Sequence, residues 1–189
     1  MRRLFVATAV LITTAAGIAS ASVVSSLSAQ PLTLDGAETL ADLGQIGETV
    51  PDPRGGPPWA ARISTTPSGQ RCVTVGRTDG QAFGPVDATG HILDIGRSFS
   101  GSCADPAREP LQVAVARYAD TAGTGPRSVL FGVADKDVVS VAVTQPGGIG
   151  PLTPDRSRTF VVVREELARD QPWTVIATLS DGTQHAYSL

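Results

Sequence analysis

The chain has 189 residues, of which 41% are apolar, 15 are Lys or Arg and 18 are Asp or Glu, enough for one domain with a sizeable core. A formal charge of −3 and a pI near 5.3 exclude the basic face that a polyanion needs, so nucleic acid is not an expected partner. Twenty Gly and fourteen Pro exclude a mainly helical protein, and their lack of period excludes a fibrous one.

The N-terminus reads as an export signal. Met1-Arg2-Arg3 is a minimal positive region, and residues 4–24 carry no charge. A cleaved signal peptide needs an apolar stretch and a small-x-small site, which Ala19-Ser20-Ala21 supplies. A retained anchor needs about 20 apolar residues, a length that 4–24 just reaches although Thr, Ser and Gly dilute it. Cleavage is the reading preferred, and the anchor stays open. Arg2-Arg3-Leu4-Phe5-Val6 resembles a twin-arginine signal but lacks the residues that precede the pair, so ordinary secretion is expected. Both basic residues precede the apolar segment and the next is Arg54, which places everything after residue 24 outside the cytoplasm, secreted or anchored in the cell membrane.

Residues 25–58 read as an acidic, flexible stalk. Asp35, Glu38, Asp42, Glu48 and Asp52 stand there without a basic residue among them, and removing residues 1–21 sharpens the net charge to 13 − 18 = −5. Asp35-Gly36-Ala37-Glu38 has capping-box spacing, which predicts one short helix over 37–43. Four Pro and two Gly at 51–58 rule out regular structure in that stretch.

From Trp59 onward the hydrophobic period is two. Residues 59–64 and 71–75, joined by Thr66-Pro67-Ser68-Gly69, predict a hairpin. Short strands follow at 82–86 and 91–95, then a loop over 96–110 that holds Cys103. Residues 111–118 alternate again, while 128–133, 138–144 and 159–163 are richer in adjacent β-branched residues and read as central. The Gly/Pro mixture at 145–151 reads as a hairpin tip, and 164–170 as two helical turns. The last two strands, 174–179 and 183–187, are joined by Ser180-Asp181-Gly182. About nine short strands over 59–189 predict an all-β domain, an antiparallel β-sandwich or partly open barrel.

Cys72 and Cys103 are the only cysteines and both lie in the exported part, so one disulfide is expected. Chemistry-bearing motifs are scarce. His91 and His185 are isolated from each other and from the cysteines, which leaves no zinc spacing. Asp135-Lys136-Asp137 has two turn carboxylates but neither the Gly nor the distal Glu of a calcium loop. Gly96-Arg97-Ser98-Phe99-Ser100-Gly101 misplaces the closing Gly of a nucleophile elbow, and there is no phosphate or dinucleotide loop. No catalytic residue, metal or cofactor is therefore assigned. Trp59 and Trp173 each open a strand after Pro and read first as core anchors; the lesser alternative gives them a surface role, stacking on a sugar or peptide.

The segments Gly-Gly-Pro-Pro-Trp (55–59), Cys-x-x-Val-Gly-Arg (72–77), Phe-Gly-x-Val-Asp (83–87) and Gly-Ser-Cys-Ala-Asp (101–105) carry a resemblance to uncharacterised exported proteins of GC-rich actinobacteria. It spans about 50 residues, implies no activity, and agrees with an exported location and with Cys72–Cys103 pairing. The expectation is an exported, envelope-associated β-sandwich with a binding or structural role, its partner an envelope protein or a glycan. The alternatives are an enzyme with a site of scattered loop residues, and a module that binds or inhibits another envelope protein.

Overall fold

The computed structural model describes residues 44–95, 101–118, 125–145, 148–165 and 172–189. The expected export segment, the helix at 37–43 and most of the helix at 164–170 lie outside these residues. Arg164 and Glu165, at the start of the latter, extend a strand instead.

Twelve strands follow one another in the described chain: β1 (Gln45–Ile46), β2 (Trp59–Thr65), β3 (Arg71–Thr78), β4 (Phe83–Gly84), β5 (Gly101–Ala104) and β6 (Leu111–Tyr118), then β7 (Arg127–Ala134), β8 (Val138–Gln145), β9 (Gly148–Leu152), β10 (Thr159–Glu165), β11 (Thr174–Leu179) and β12 (Gln184–Ser188). All pairings are antiparallel. The first sheet runs β1-β2-β3-β4 with β5 also on β3, the second β10-β7-β6, and the third β12-β11-β8-β9.

The first two sheets face each other and also approach at their edges, β5 beside β6 and β2 beside β10, so together they form a partly open barrel. Its interior is filled by Trp59, Ala61, Val73, Val75, Val129, Phe131, Val133 and Val161. The third sheet packs on the outside of the β6–β7–β10 wall through Val141, Val143, Val175, Ala177 and Tyr187, which meet Leu111, Val113, Leu130 and Phe160. The wall is thus covered on both faces. This is why Val129-Leu130-Phe131-Gly132-Val133 is a continuous apolar run with no polar alternation, and every residue of β7 is buried. Gly132 sits where Phe160 crosses: a Cβ there would lie 2.5 Å from the Phe160 ring.

The outer face of the first sheet is also covered, by the segment 79–95. The Phe83 ring reaches over Gly76, where a Cβ would stand 3.1 Å from it, and the Arg62 guanidinium lies 4.8 Å from the ring centre. On the same face Cys72 and Cys103 are opposite each other in β3 and β5 and are joined by a disulfide.

Five further expectations change. The strand expected at 91–95 is reduced to a single bridge from Ile92 to Val86. The loop at 96–110 contains strand β5, whose four residues are too few to show a period. Within the expected hairpin tip at 145–151 begins an edge strand, β9; Pro151 is tolerated there because an edge strand leaves its outer side without a partner. The stalk does not extend to residue 58, because β1 pairs with β2, Val50 bridges to Trp59, and Asp52 is buried. The surface role for Trp59 and Trp173 fails, since they are 2% and 4% exposed and their ring nitrogens donate to Asp52 and Ser128 inside the fold. Burial of a large ring outweighs exposure once a strand turns it inward with its N–H satisfied.

Candidate functional site

Alternation along the barrel strands sends the same set of side chains inward, and the register decides which end of the barrel each one reaches. At one end Trp59 stands opposite Arg77, and Arg127 stands opposite both Tyr118 and Glu165. At the other end are Ile63, Arg71 and Val133, with the turns around Asp135 and Ser157. The two ends differ in what closes them.

The first end is locked by Asp52. Its Oδ1 accepts from Arg127 Nη2 at 2.8 Å and from the backbone N–H of Arg54 at 2.8 Å, and its Oδ2 accepts from Trp59 Nε1 at 2.8 Å and Arg77 Nη2 at 2.5 Å. Arg127 Nε reaches both oxygens at 3.1 Å. Arg77 also donates to the Pro57 carbonyl and lies 4.1 Å over the Trp59 ring. Burial pushes the Asp52 carboxyl up, but the hydrogen bonds from Arg127, Trp59 and the Arg54 backbone, with the charge of Arg77, outweigh it and hold the group at about 2. Tyr118 packs its ring 4.7 Å from that of Trp59 and donates to the Val75 carbonyl; burial holds its hydroxyl at about 12 despite the nearby Arg77. Outside this lock, Arg54 grips Glu165 with Nε at 2.8 Å and Nη2 at 2.5 Å, both side chains about half exposed. Every group here is engaged, so this end is a structural clasp.

The second end is an open depression of about 380 Å³ lined by Ile63, Arg71, Val133, Ala134, Asp135, Lys136, Ser157 and Arg158. Three cations and one carboxylate share it, in a chain whose overall charge is negative. The ion pair between them is loose, with Arg71 Nη1 at 3.8 Å from Asp135 Oδ1, beyond hydrogen-bonding reach. Arg71 Nε and Nη2 are buried and have no hydrogen-bond partner, and the same holds for Arg158 Nε. Burial lowers the proton affinity of Arg71 and the Asp135 charge restores only part of it. Arg158 has φ of 67°, the one non-glycine residue with positive φ among the described residues, and such a conformation costs about 1–2 kcal/mol. It is held there by Arg158 N donating to the Asp155 carbonyl at 2.9 Å, and by Nη2 donating to the Asp135 and Val138 carbonyls at 2.7 and 2.5 Å. Asp155, in the turn that also holds Ser157, is fully engaged. It accepts from Ser157 Oγ, from the backbone N–H and hydroxyl of Thr159, and from the Glu48 N–H.

The residues singled out in the sequence fall elsewhere. His91 is exposed in a turn with its Nδ1 2.8 Å from Thr89 Oγ1, and His185 lies on the third sheet, far along the chain and on a different element. Among the described residues no three of His, Cys, Asp and Glu converge closely enough to hold a metal ion. The Asp135-Lys136 turn lines the depression. Arg71 and Arg158 gave no sequence signal, since they are single arginines at a strand start and in a turn, brought together only by the barrel. Compared with models of protein families, with curated proteins and with solved structures, the chain matches none.

Proposed function

We propose that the chain is an exported, envelope-associated β domain with a binding or structural role, and that it binds through the open end of its barrel. In this reading residues 1–24 are a cleaved signal or a retained anchor, and the sandwich-like body stands outside the cytoplasm. The observation that carries the reading is the asymmetry of the barrel. One end is tied shut by Asp52 and its donors, while the other stays open as a depression lined by Arg71, Asp135, Lys136 and Arg158. Concave sites with a few convergent polar groups are where ligands are taken up, and barrel mouths are a common place for them. The disulfide is consistent with an oxidising compartment.

A second reading, docking on another envelope protein, is favoured by the outer face of the third sheet. There Ala142, Ile176 and Ala186 form one row across β8, β11 and β12, with Ile149 exposed on β9 beside them.

The test is photo-crosslinking from intact cell envelopes, with a reactive side chain at exposed Lys136 in one variant and at Ile176 in another. Adducts from position 136, in protein recovered outside the cytoplasm with Cys72 and Cys103 oxidised, are the expected result. Cytoplasmic protein with two free thiols, or adducts from position 176 alone, would overturn the reading.

A further inference from the structure

The sheet β12-β11-β8-β9 ends in two edge strands, and only one of them is guarded against pairing. We infer that the other, β12, is a self-association edge, on which a second copy of this chain adds its own β12 antiparallel about a two-fold axis at Ala186. This contact is independent of what the barrel mouth binds.

Which backbone groups face each edge follows from the ladders. The N–H groups of Trp173 and Leu189 each donate to the other's carbonyl, at 3.1 and 2.9 Å, so this pair is hydrogen-bonded across β11 and β12. Antiparallel pairs alternate, so Tyr187 and His185 also spend their N–H and C=O on β11. Gln184, Ala186 and Ser188 therefore turn theirs away from β11, and no hydrogen bond of the described residues reaches them. The opposite edge ends differently. Val175 faces β12, so Ala142 bonds to β11 and Val143 bonds to Gly150 of β9. The outward groups of β9 are then those of Ile149 and Pro151, and Pro151 has no N–H to give. Proline on an edge is a guard against further pairing, as is lysine. β12 carries no Pro, no Lys and no other charged residue.

The strand is complementary to itself. In the two-fold register Ala186 meets Ala186 of the second copy, Gln184 meets Ser188 and His185 meets Tyr187. The outward-turned residues of each strand then face one another, which supplies about six hydrogen bonds between the chains. No like charges are opposed, and a small side chain stands at the axis, where a residue must meet itself. Tyr187 points into the core against the wall, so alternation puts Gln184, Ala186 and Ser188 on the outer face of the sheet, with Gln184 and Ser188 exposed. The axis stands perpendicular to the sheet, so both barrels lie on one side of it. On the other side the row Ala142, Ile176 and Ala186 runs on into that of the second copy. An isologous contact of this kind uses both unguarded edges, and the Pro151 edges left at either side stop growth at a pair.

The experiment follows the protein recovered from the cell envelope by sedimentation over a concentration series, with backbone amide exchange read by NMR in the same samples. A monomer–dimer equilibrium is expected. The amides of His185 and Tyr187 are expected to be protected at every concentration, and those of Gln184, Ala186 and Ser188 only as the dimer forms. Ala186→Lys sets two ammonium groups at the axis from an outer-face position, and is expected to weaken the dimer at least tenfold. Ala186→Pro removes only an N–H that turns away from β11, and is expected to do the same with the strand content unchanged by circular dichroism; where it does not fold, Ala186→Lys decides alone. Ile149→Lys, on the guarded edge, is expected to leave the dimer unchanged. A monomer at every concentration overturns the inference. So does a dimer that Ala186→Lys leaves intact, or that Ile149→Lys weakens as much, since the contact then lies elsewhere. Protection of the Gln184, Ala186 and Ser188 amides in the monomer also overturns it, because a segment of the same chain then covers the edge.

Discussion

Replacing Asp52 with Asn isolates the charge of the clasp from its volume. In the native barrel one carboxylate neutralises two guanidiniums that are themselves buried, Arg77 at 8% and Arg127 at 2% exposure, and it also accepts from Trp59 Nε1. An amide has one acceptor oxygen where the carboxylate has two. Whichever way it turns, its NH₂ faces either Arg77 and Trp59 or Arg127 and the Arg54 N–H, so one guanidinium loses a hydrogen bond to this side chain, and two positive charges are left together out of water without the negative one. Removing one partner from a buried ion pair costs about 3–5 kcal/mol. That is a large part of the roughly 5–15 kcal/mol that holds a domain folded. With an m-value of about 2 kcal/mol/M in urea, a loss of about 4 kcal/mol moves the unfolding midpoint down by about 2 M. The assay is urea unfolding of oxidised protein at pH 7, read by tryptophan fluorescence, since Trp59 is part of the clasp. A loss under about 1 kcal/mol, the size of an exposed pair, would refute the account of a desolvated clasp.

The same carboxylate sets an acid limit. Its folded value of about 2 lies below the ordinary 3.8, so its contribution is complete above about pH 4 and disappears as pH falls toward 2. A shift of that size corresponds to about 2.5 kcal/mol, to be read as a falling urea midpoint over that window and a flatter profile in Asp52→Asn. Reducing Cys72–Cys103 releases a loop of 31 residues and is expected to cost about 3.5 kcal/mol in the chain-entropy description, measured as the midpoint difference with and without reductant. Gly132→Ala places a methyl 2.4 Å from the Gln112 carbonyl oxygen and 2.5 Å from the Phe160 ring, and is expected to destabilise the doubly covered wall by about 1–3 kcal/mol by the same assay.

The all-β, antiparallel character of the domain was legible where one physical rule acts alone. The apolar run at 129–133 marked the wall covered on both faces, Ser180-Asp181-Gly182 marked the last hairpin, and two cysteines downstream of an apolar segment marked the disulfide. Rules that compete hid the remainder. Asp52 stands among Pro and Gly in a stretch whose composition is that of a spacer, and only the arrival of Arg77 and Arg127 from strands 25 and 75 residues away turns it into a core group. Strand β9 was masked by Gly and Pro, which an edge tolerates and an interior strand does not. The depression joins Arg71, Asp135 and Arg158, which share no motif because a barrel mouth collects the ends of strands that are remote in sequence.

The central claim, that one end of the barrel is tied shut and the other is the binding end, is tested most directly by amide chemical-shift mapping of the protein titrated with solubilised cell-envelope extract. Saturable shifts confined to the amides of Arg71, Ala134, Lys136 and Arg158, with those of Trp59, Arg77 and Arg127 unmoved, are the predicted result. Shifts centred on Asp52 and its partners, or spread evenly over the surface, would contradict it.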